Sequence, residues 1–536
     1  MTSSSAGSST AKSPRTRSAR LPRGLGITAG LIGWFILVEI VSGILQGYYV
    51  PLFSDIVVSL GIHDSDVNWF EAAQLLLSAL VVPVLAKLGD MYGHKRILLI
   101  AAVLTAGATW WLAFATSFWS FLIAWALQGF YVVWLPLEIA LIFERGRVQQ
   151  RGVSTTRRAA GLLVVGLEVG AIVGALAAGR IFAASGQNLT ATLIVPAIAV
   201  TLVALVIWIG VPESAPEGGR RLDTRGFVLL AWALLLVTGG LAWMRMIGEL
   251  ALGAAAWIWV VALLLAGVAV FVWFVRFELR QDDPAVDIRV LRRPEMWPVQ
   301  ATAFLIGISL LGAQGPLSTY AGTDPSLGYG LGLDATERSN IIGVYLVSLI
   351  VGAVLFAVTS RRASPRVVLI AASLLVGIGY LLFLPFHVEL WQVLLNLSIA
   401  GLGCGALVGA LPAAAAAAAP RGQTGIATAL TNTTKTIGGS FSSAVFGVVL
   451  AAGAGAVASQ TAASLGGYLT VWAICAGGGF LAALLLVFVP KVAFADAPRP
   501  DAAGLFRGVR RAGGGDRARA GAARTGRPGA SSPGRG

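Results

Sequence analysis

Four ionisable side chains stand where an apolar chain has least use for them. Glu39, Glu138, Glu168 and Lys435 each fall inside a mostly apolar run. Each run is long enough for a helix to cross the ~30 Å of bilayer hydrocarbon. A charge at mid-bilayer costs several kcal/mol unless it is paired, hydrated or, for a carboxylate, protonated. Each of the four is therefore a candidate for carrying a proton or meeting a charged solute. Ser42, Gln46 and Tyr49 follow Glu39 on one side of a 3.6-residue helix, a side predicted to line a cavity. Tyr131 and Glu138 share a helix face, with Gln128 one turn before Tyr131. Glu138 stands near the end of its run, where hydrogen bonding at the interface is the alternative role. Lys435 lies about three turns into its run beside Thr431 and Asn432. It reads as a counter-ion to a carboxylate in the N-terminal half or as a contact for an anionic substrate; packing alone is the third reading. Glu71 and Gln74, behind Asp64, Asp66 and Trp69, are expected to cap a helix. Aromatic residues near Glu39 could hold flat cations.

Other chemistry finds no support in the sequence. There is no Gly-rich phosphate loop ending in Gly-Lys-Ser/Thr, so the chain has no cradle for ATP. His63, His94 and His387 are scattered at predicted membrane surfaces, with no Cys/His spacing for a metal and no Ser/His/Asp set. Cys404 and Cys475 lie in apolar runs and read as small core residues. The chain is expected to be no enzyme and to need no cofactor.

The elements that must position these residues follow from composition. Of 536 residues, 57% are hydrophobic and 12% charged, and the mean hydropathy is +0.80. Soluble domains carry about a quarter charged residues, so a soluble multidomain enzyme is excluded, as are disordered, collagen-like and disulfide-scaffold chains. Fourteen membrane helices are predicted, near 27–49, 66–86, 97–116, 118–143, 160–183, 190–211, 226–244, 252–275, 299–321, 338–359, 366–385, 390–412, 423–451 and 468–490. No run alternates with a period of two, which excludes barrel strands.

With a cytoplasmic N-terminus, 35 of the 39 Lys and Arg residues fall in cytoplasmic segments. Only Arg180, Arg245 and Arg338 fall outside, and Lys435 lies within a helix. Both termini are thus predicted to be cytoplasmic. The net charge of +14 reads as topology and attraction to anionic lipid rather than nucleic-acid binding. Residues 1–26 and 491–536 read as disordered basic tails, with no cleavable signal peptide. The expected localisation is the plasma membrane, as a monomer.

One loop carries a specific pattern. Between the second and third predicted helices stands Ala86-Lys87-Leu88-Gly89-Asp90-Met91-Tyr92-Gly93-His94-Lys95-Arg96. This resembles the signature loop of the major facilitator superfamily, G-x-L-[AG]-D-x-x-G-R-[KR]-[KR], at Leu88, Gly89, Asp90, Gly93, Lys95 and Arg96. It departs at Ala86, Met91 and His94. Gly93 permits a tight turn, Asp90 can cap the next helix or pair with a cation, and the basic pair can rest on lipid phosphates. Six helices, an inserted pair and six more resemble the fourteen-helix drug:proton antiporter branch. The stretch Arg421-Gly422-Gln423-Thr424-Gly425 through Asn432, Lys435, Gly438 and Gly439 resembles that branch's eleventh core helix.

The resemblance implies an all-α membrane protein of two six-helix bundles plus two inserted helices, around a cavity that opens alternately to each side. The bundles would span 27–211 and 299–490, joined by 212–298. It implies protons and a small-molecule substrate as partners, and the loop as a conformational switch.

Departures mark a divergent member. Where the family has a mid-membrane Arg tied to proton coupling, the chain has Trp125, followed by the retained Gln128-Gly129. The fifth-helix stripe of antiporters keeps Gly166, Gly170 and Gly174, which lets two helices approach closely. Its Pro is replaced by Ala171, so the bend is expected to be weaker. Glu168 lies about 200° around the helix from Gly166 and Gly170, away from that stripe. In the first helix Ser42 aligns with the branch's Asp, and Glu39 supplies a carboxylate one turn earlier. The leading expectation is proton-coupled export of lipophilic or cationic compounds. A metabolite symporter or facilitator of the same superfamily, and a membrane sensor or scaffold with the Arg-rich tail as its output, are the alternatives.

Overall fold

The computed structural model describes residues 29–148, 153–213, 222–249, 253–281, 284, 286–360, 362–419, 424–452 and 461–488. Both predicted tails and Arg421–Gln423 lie outside them. Among the described residues there are eighteen α-helices and no strand. The first bundle holds α1 (Ala29–Gly47), α2 (Phe53–Leu60), α3 (Val67–Tyr92), α4 (His94–Ala113), α5 (Phe118–Gln128), α6 (Trp134–Val148), α7 (Val153–Ala184) and α8 (Leu189–Gly210). The inserted pair is α9 (Thr224–Glu249) and α10 (Trp257–Glu278). After the short α11 (Ile288–Leu291) come α12 (Trp297–Gly307), α13 (Gln314–Gly322), α14 (Ala335–Thr359), α15 (Pro365–Leu382), α16 (Leu390–Ala418), α17 (Thr424–Ala452) and α18 (Leu465–Phe488).

Thirteen stretches are long and apolar enough to cross a membrane, and a fourteenth, Arg366–Leu382, is apolar but shorter. Each predicted run overlaps one of them. Three spans are broken inside. Pro51 lacks an N–H, and the first span passes through a 3₁₀ turn at Val50–Leu52 before α2. The fourth breaks at Gly129–Val133. The ninth breaks at a π-turn over Ile308–Gly312. By contrast α7 runs unbroken through Ala171.

Glycine decides the closest packing. The stripe of α7 lies against α1, where a Cβ on Gly170 would come within 2.0 Å of the Ile40 carbonyl oxygen. From the other side, a Cβ on Gly43 would meet the Leu167 oxygen at 1.8 Å. The second bundle repeats the device between α12 and α17: Gly307 meets the backbone of Lys435, and Gly438 that of Phe304. Backbone contact this close adds dispersion energy between helices that gain nothing from burying apolar area in lipid.

The bundles meet along α3 against α17 and α7 against α14. Helices α9 and α10 pair with each other, and α9 reaches α3 and α17. Trp257, Ile258, Trp259 and Leu265 on α10 point outward as lipid-facing surface. A set of hydrogen bonds ties the bundles together at the end opposite the Asp90 loop. Ser54 Oγ donates to the Ser318 carbonyl (3.3 Å), the Gly179 N–H to Ser339 Oγ (3.0 Å) and Ser440 Oγ to the Ala72 carbonyl (2.8 Å). Ser318 Oγ also donates to the Val50 carbonyl.

Candidate functional site

The first bundle encloses a buried polar row. Glu39 and Glu138 are both fully buried, on helices α1 and α6, which pack against each other, and their carboxyl groups are near enough to interact electrostatically. No oxygen of either carboxyl has a hydrogen-bond partner among the described residues. Two ionised carboxylates this near each other would repel in a dry interior, which disfavours charging both at once. Glu138 is thus enclosed by the first bundle, as Glu39 is.

Ser42 is buried on the same helix as Glu39, whereas Gln46 is exposed. Tyr131 is close enough to Glu39 and Glu71 to interact with both electrostatically. The side chain of Gln128 donates to Tyr49 Oη at 2.8 Å and to Thr109 Oγ1 at 3.1 Å. It also accepts from Gln74 Nε2 at 3.3 Å. Trp125 is packed among Tyr49, Phe53, Phe70 and Phe121, with ring centroids 4.9 Å from Tyr49 and 5.8 Å from Phe121. The position where the family has a cation thus belongs to an aromatic core.

Glu71 and Gln74 do not cap α3. Asp66, the residue before that helix, does not cap it; its side chain accepts from the His63 N–H at 3.1 Å and, with His63, caps the preceding 3₁₀ turn. Gln74 points inward to Gln128. Glu71 is buried and accepts a hydrogen bond from the backbone of Gly315 on α13, across the bundle interface. A residue one to two turns into a helix is past the orphan N–H groups that a cap satisfies.

Glu168 of α7 and Lys435 of α17 interact electrostatically across the two bundles. The glycine stripe faces α1, and Glu168 lies on another side of α7, as its 200° offset predicts. Asn432, one turn before Lys435, is exposed. Thr431 is bonded by Gln300 Nε2 at 2.9 Å.

The signature loop forms a tight turn. Gly93, at φ 102°, separates α3 from α4. Asp90 Oδ1 lies 3.1 Å from His94 Nε2, and His94 Nδ1 lies 3.6 Å from Glu144 on α6. Asp90 therefore pairs across the turn and leaves the start of α4 without a side-chain cap. Lys95 Nζ donates to the Trp208 carbonyl (3.0 Å), one of the orphan carbonyls that close α8. Arg96 Nε lies 3.8 Å from Glu213. The side chain of Leu137 occupies the space a Cβ on Gly89 would need, and Leu88 packs against the core.

Two features escape sequence reasoning. Arg338 Nη2 binds Asp55 Oδ2 at 2.6 Å, joining α14 to α2. Asp64 Oδ2 accepts from the Ala463 N–H at 3.3 Å and lies 3.1 Å from Tyr468 Oη. The one available signal was that Arg338 breaks the charge rule for cytoplasmic arginines; nothing local named its partner 283 residues away.

Comparison with known proteins agrees with this architecture. The sequence model of the Major Facilitator Superfamily matches residues 35–279. The chain is 25% identical over 441 residues to a probable actinorhodin transporter of Streptomyces coelicolor, covering 76% of this chain and 69% of that one. A crystal structure of the nucleoside transporter NupG superposes with a TM-score of 0.60 at 14% identity, covering 85% of this chain and 99% of that one. An auto-inhibited POT family peptide transporter gives 0.58 at 16% identity, covering 88% and 98%. The chain is a multi-pass helical membrane protein, and its residues 35–279 match the Major Facilitator Superfamily.

Proposed function

We propose that the protein exports a small lipophilic compound, in the class of secondary metabolites, in exchange for protons. The observation that carries this reading is the burial of two carboxyl groups without hydrogen-bond partners, Glu39 and Glu138, on packed helices of one bundle. A pair of this kind holds one proton readily and resists losing both. When alternating access exposes it to a different solution, it can load a proton on one side and release it on the other. Tyr131 stands near Glu39, and Gln128, one turn before it, is held by Tyr49 and Thr109. The proton site needs no cation at position 125, because the second carboxyl takes the place of a charged partner. The name of the Streptomyces coelicolor relative supports export of a secondary metabolite.

The experiment is proton release on substrate addition. Purified protein in weakly buffered detergent should release protons when a transported compound binds, and a Glu39→Gln, Glu138→Gln double variant should not. Equal release from the double variant would place the proton site elsewhere. A symporter would instead take up protons on binding its substrate.

A further inference from the structure

We infer that the cleft beside Lys435 is the binding site for an anionic group of the transported compound, a monovalent carboxylate or phenolate on a hydrophobic body. This deepens the transport reading above and is independent of where the proton is carried.

The cleft lies in the second bundle between α12, α16 and α17 and is nearly closed here, with about 20 Å³ of room, enough for one water. Ala303, Ile306, Leu411 and Pro412 make its apolar walls, and Asn432 and Lys435 bring the polar groups. Packing fixes the position of Lys435. A Cβ at Gly307 would stand 2.1 Å from the Lys435 carbonyl oxygen, so α12 holds this turn of α17 by direct backbone contact. One turn further along, Gly439 and Ser440 touch Leu75 and Ala72 of α3. Lys435 thus lines a cleft of the second bundle, one turn from the residues of α17 that meet α3 of the first.

The charge of Lys435 has one counterpart identified in the first bundle, Glu168. An ammonium in a low-dielectric cleft needs a counter-charge, and an incoming anion can supply it in place of Glu168. One ammonium and one amide match one carboxylate or phenolate rather than a phosphate dianion, which calls for a denser set of donors. The apolar walls match a lipophilic body. Glu168 then acts as an internal competitor, and this sets the direction of its effect: removing its charge should tighten anion binding rather than weaken it.

The test is equilibrium binding to the purified full-length chain in detergent, with no gradient, using a panel of planar aromatic carboxylates such as anthraquinone-2-carboxylate and their neutral carboxamides. The parent chain should bind acids at least tenfold more tightly than the matched amides. Lys435→Gln should remove that preference, lowering acid affinity about tenfold and leaving the amides unchanged, while Lys435→Arg should keep it. Glu168→Gln should raise acid affinity severalfold. An acid preference that survives in Lys435→Gln, weaker acid binding in Glu168→Gln, or no acid preference anywhere in the panel would overturn the assignment. None of these outcomes bears on proton release by the Glu39–Glu138 pair, so the two readings fail separately.

Discussion

Arg338 Nη2 lies 2.6 Å from Asp55 Oδ2, and this ion pair joins the start of α14 to α2 across the bundle interface. Arg338 is buried, with 3% of its side chain exposed, against 23% for Asp55. With Ser54, Ser318 and Asp64 it closes the end of the molecule opposite the Asp90 loop. A pair broken there should open that end. Removing one partner of a buried pair costs about 3–5 kcal/mol, and part exposure of Asp55 brings this to about half. Asp55→Asn should therefore shift the equilibrium toward the state open at that end by roughly tenfold or more. Labelling rates of a cysteine placed at Ser318 should rise accordingly. Unchanged labelling would mean the pair does not hold the closed state.

The Asp90–His94 pair is expected to serve the conformational switch and not substrate contact. It sits at the turn between α3 and α4, away from Glu39 and Lys435. Asp90→Asn should lower maximal transport rate severalfold with little change in half-saturation. Transport measured over a range of substrate concentrations in matched vesicles separates the two, and a large affinity loss at constant maximal rate would contradict this role.

Gly170 should tolerate no side chain. A Cβ there would stand 2.0 Å from the Ile40 carbonyl oxygen, which is backbone and cannot swing aside. Gly170→Val should force α7 away from α1 and destabilise the fold by about 1–3 kcal/mol. Gly161, on the same helix with open space around its Cβ position, should accept Ala without loss. Thermal unfolding of the two variants in one detergent checks the contrast.

The sequence exposes the membrane helices because hydrocarbon demands long apolar runs, and each of the fourteen runs overlaps an observed span. The internal breaks at Val50–Leu52 and Ile308–Gly312 do not interrupt apolarity, so a hydropathy ruler passes over them. Glu39 and Glu138 were each visible as misplaced charges. Their nearness was not, since it depends on how α1 crosses α6, and helical periodicity says nothing about crossing. Glu71 was misread as a cap for the same reason: its partner, Gly315, lies 244 residues away in the other bundle. The offset of Glu168 from the glycine stripe was legible because both belong to one helix.

The most direct test of proton coupling is uphill transport by Glu39→Gln in vesicles with an imposed pH gradient. Gln keeps the size of the side chain and mimics its protonated form while removing the proton it can release. The Glu39–Glu138 account predicts that gradient-driven accumulation is abolished while energy-independent exchange of substrate persists, and that Glu39→Asp keeps part of the activity with a shifted pH profile. Accumulation by Glu39→Gln at the parental level, with the parental pH dependence, would contradict it.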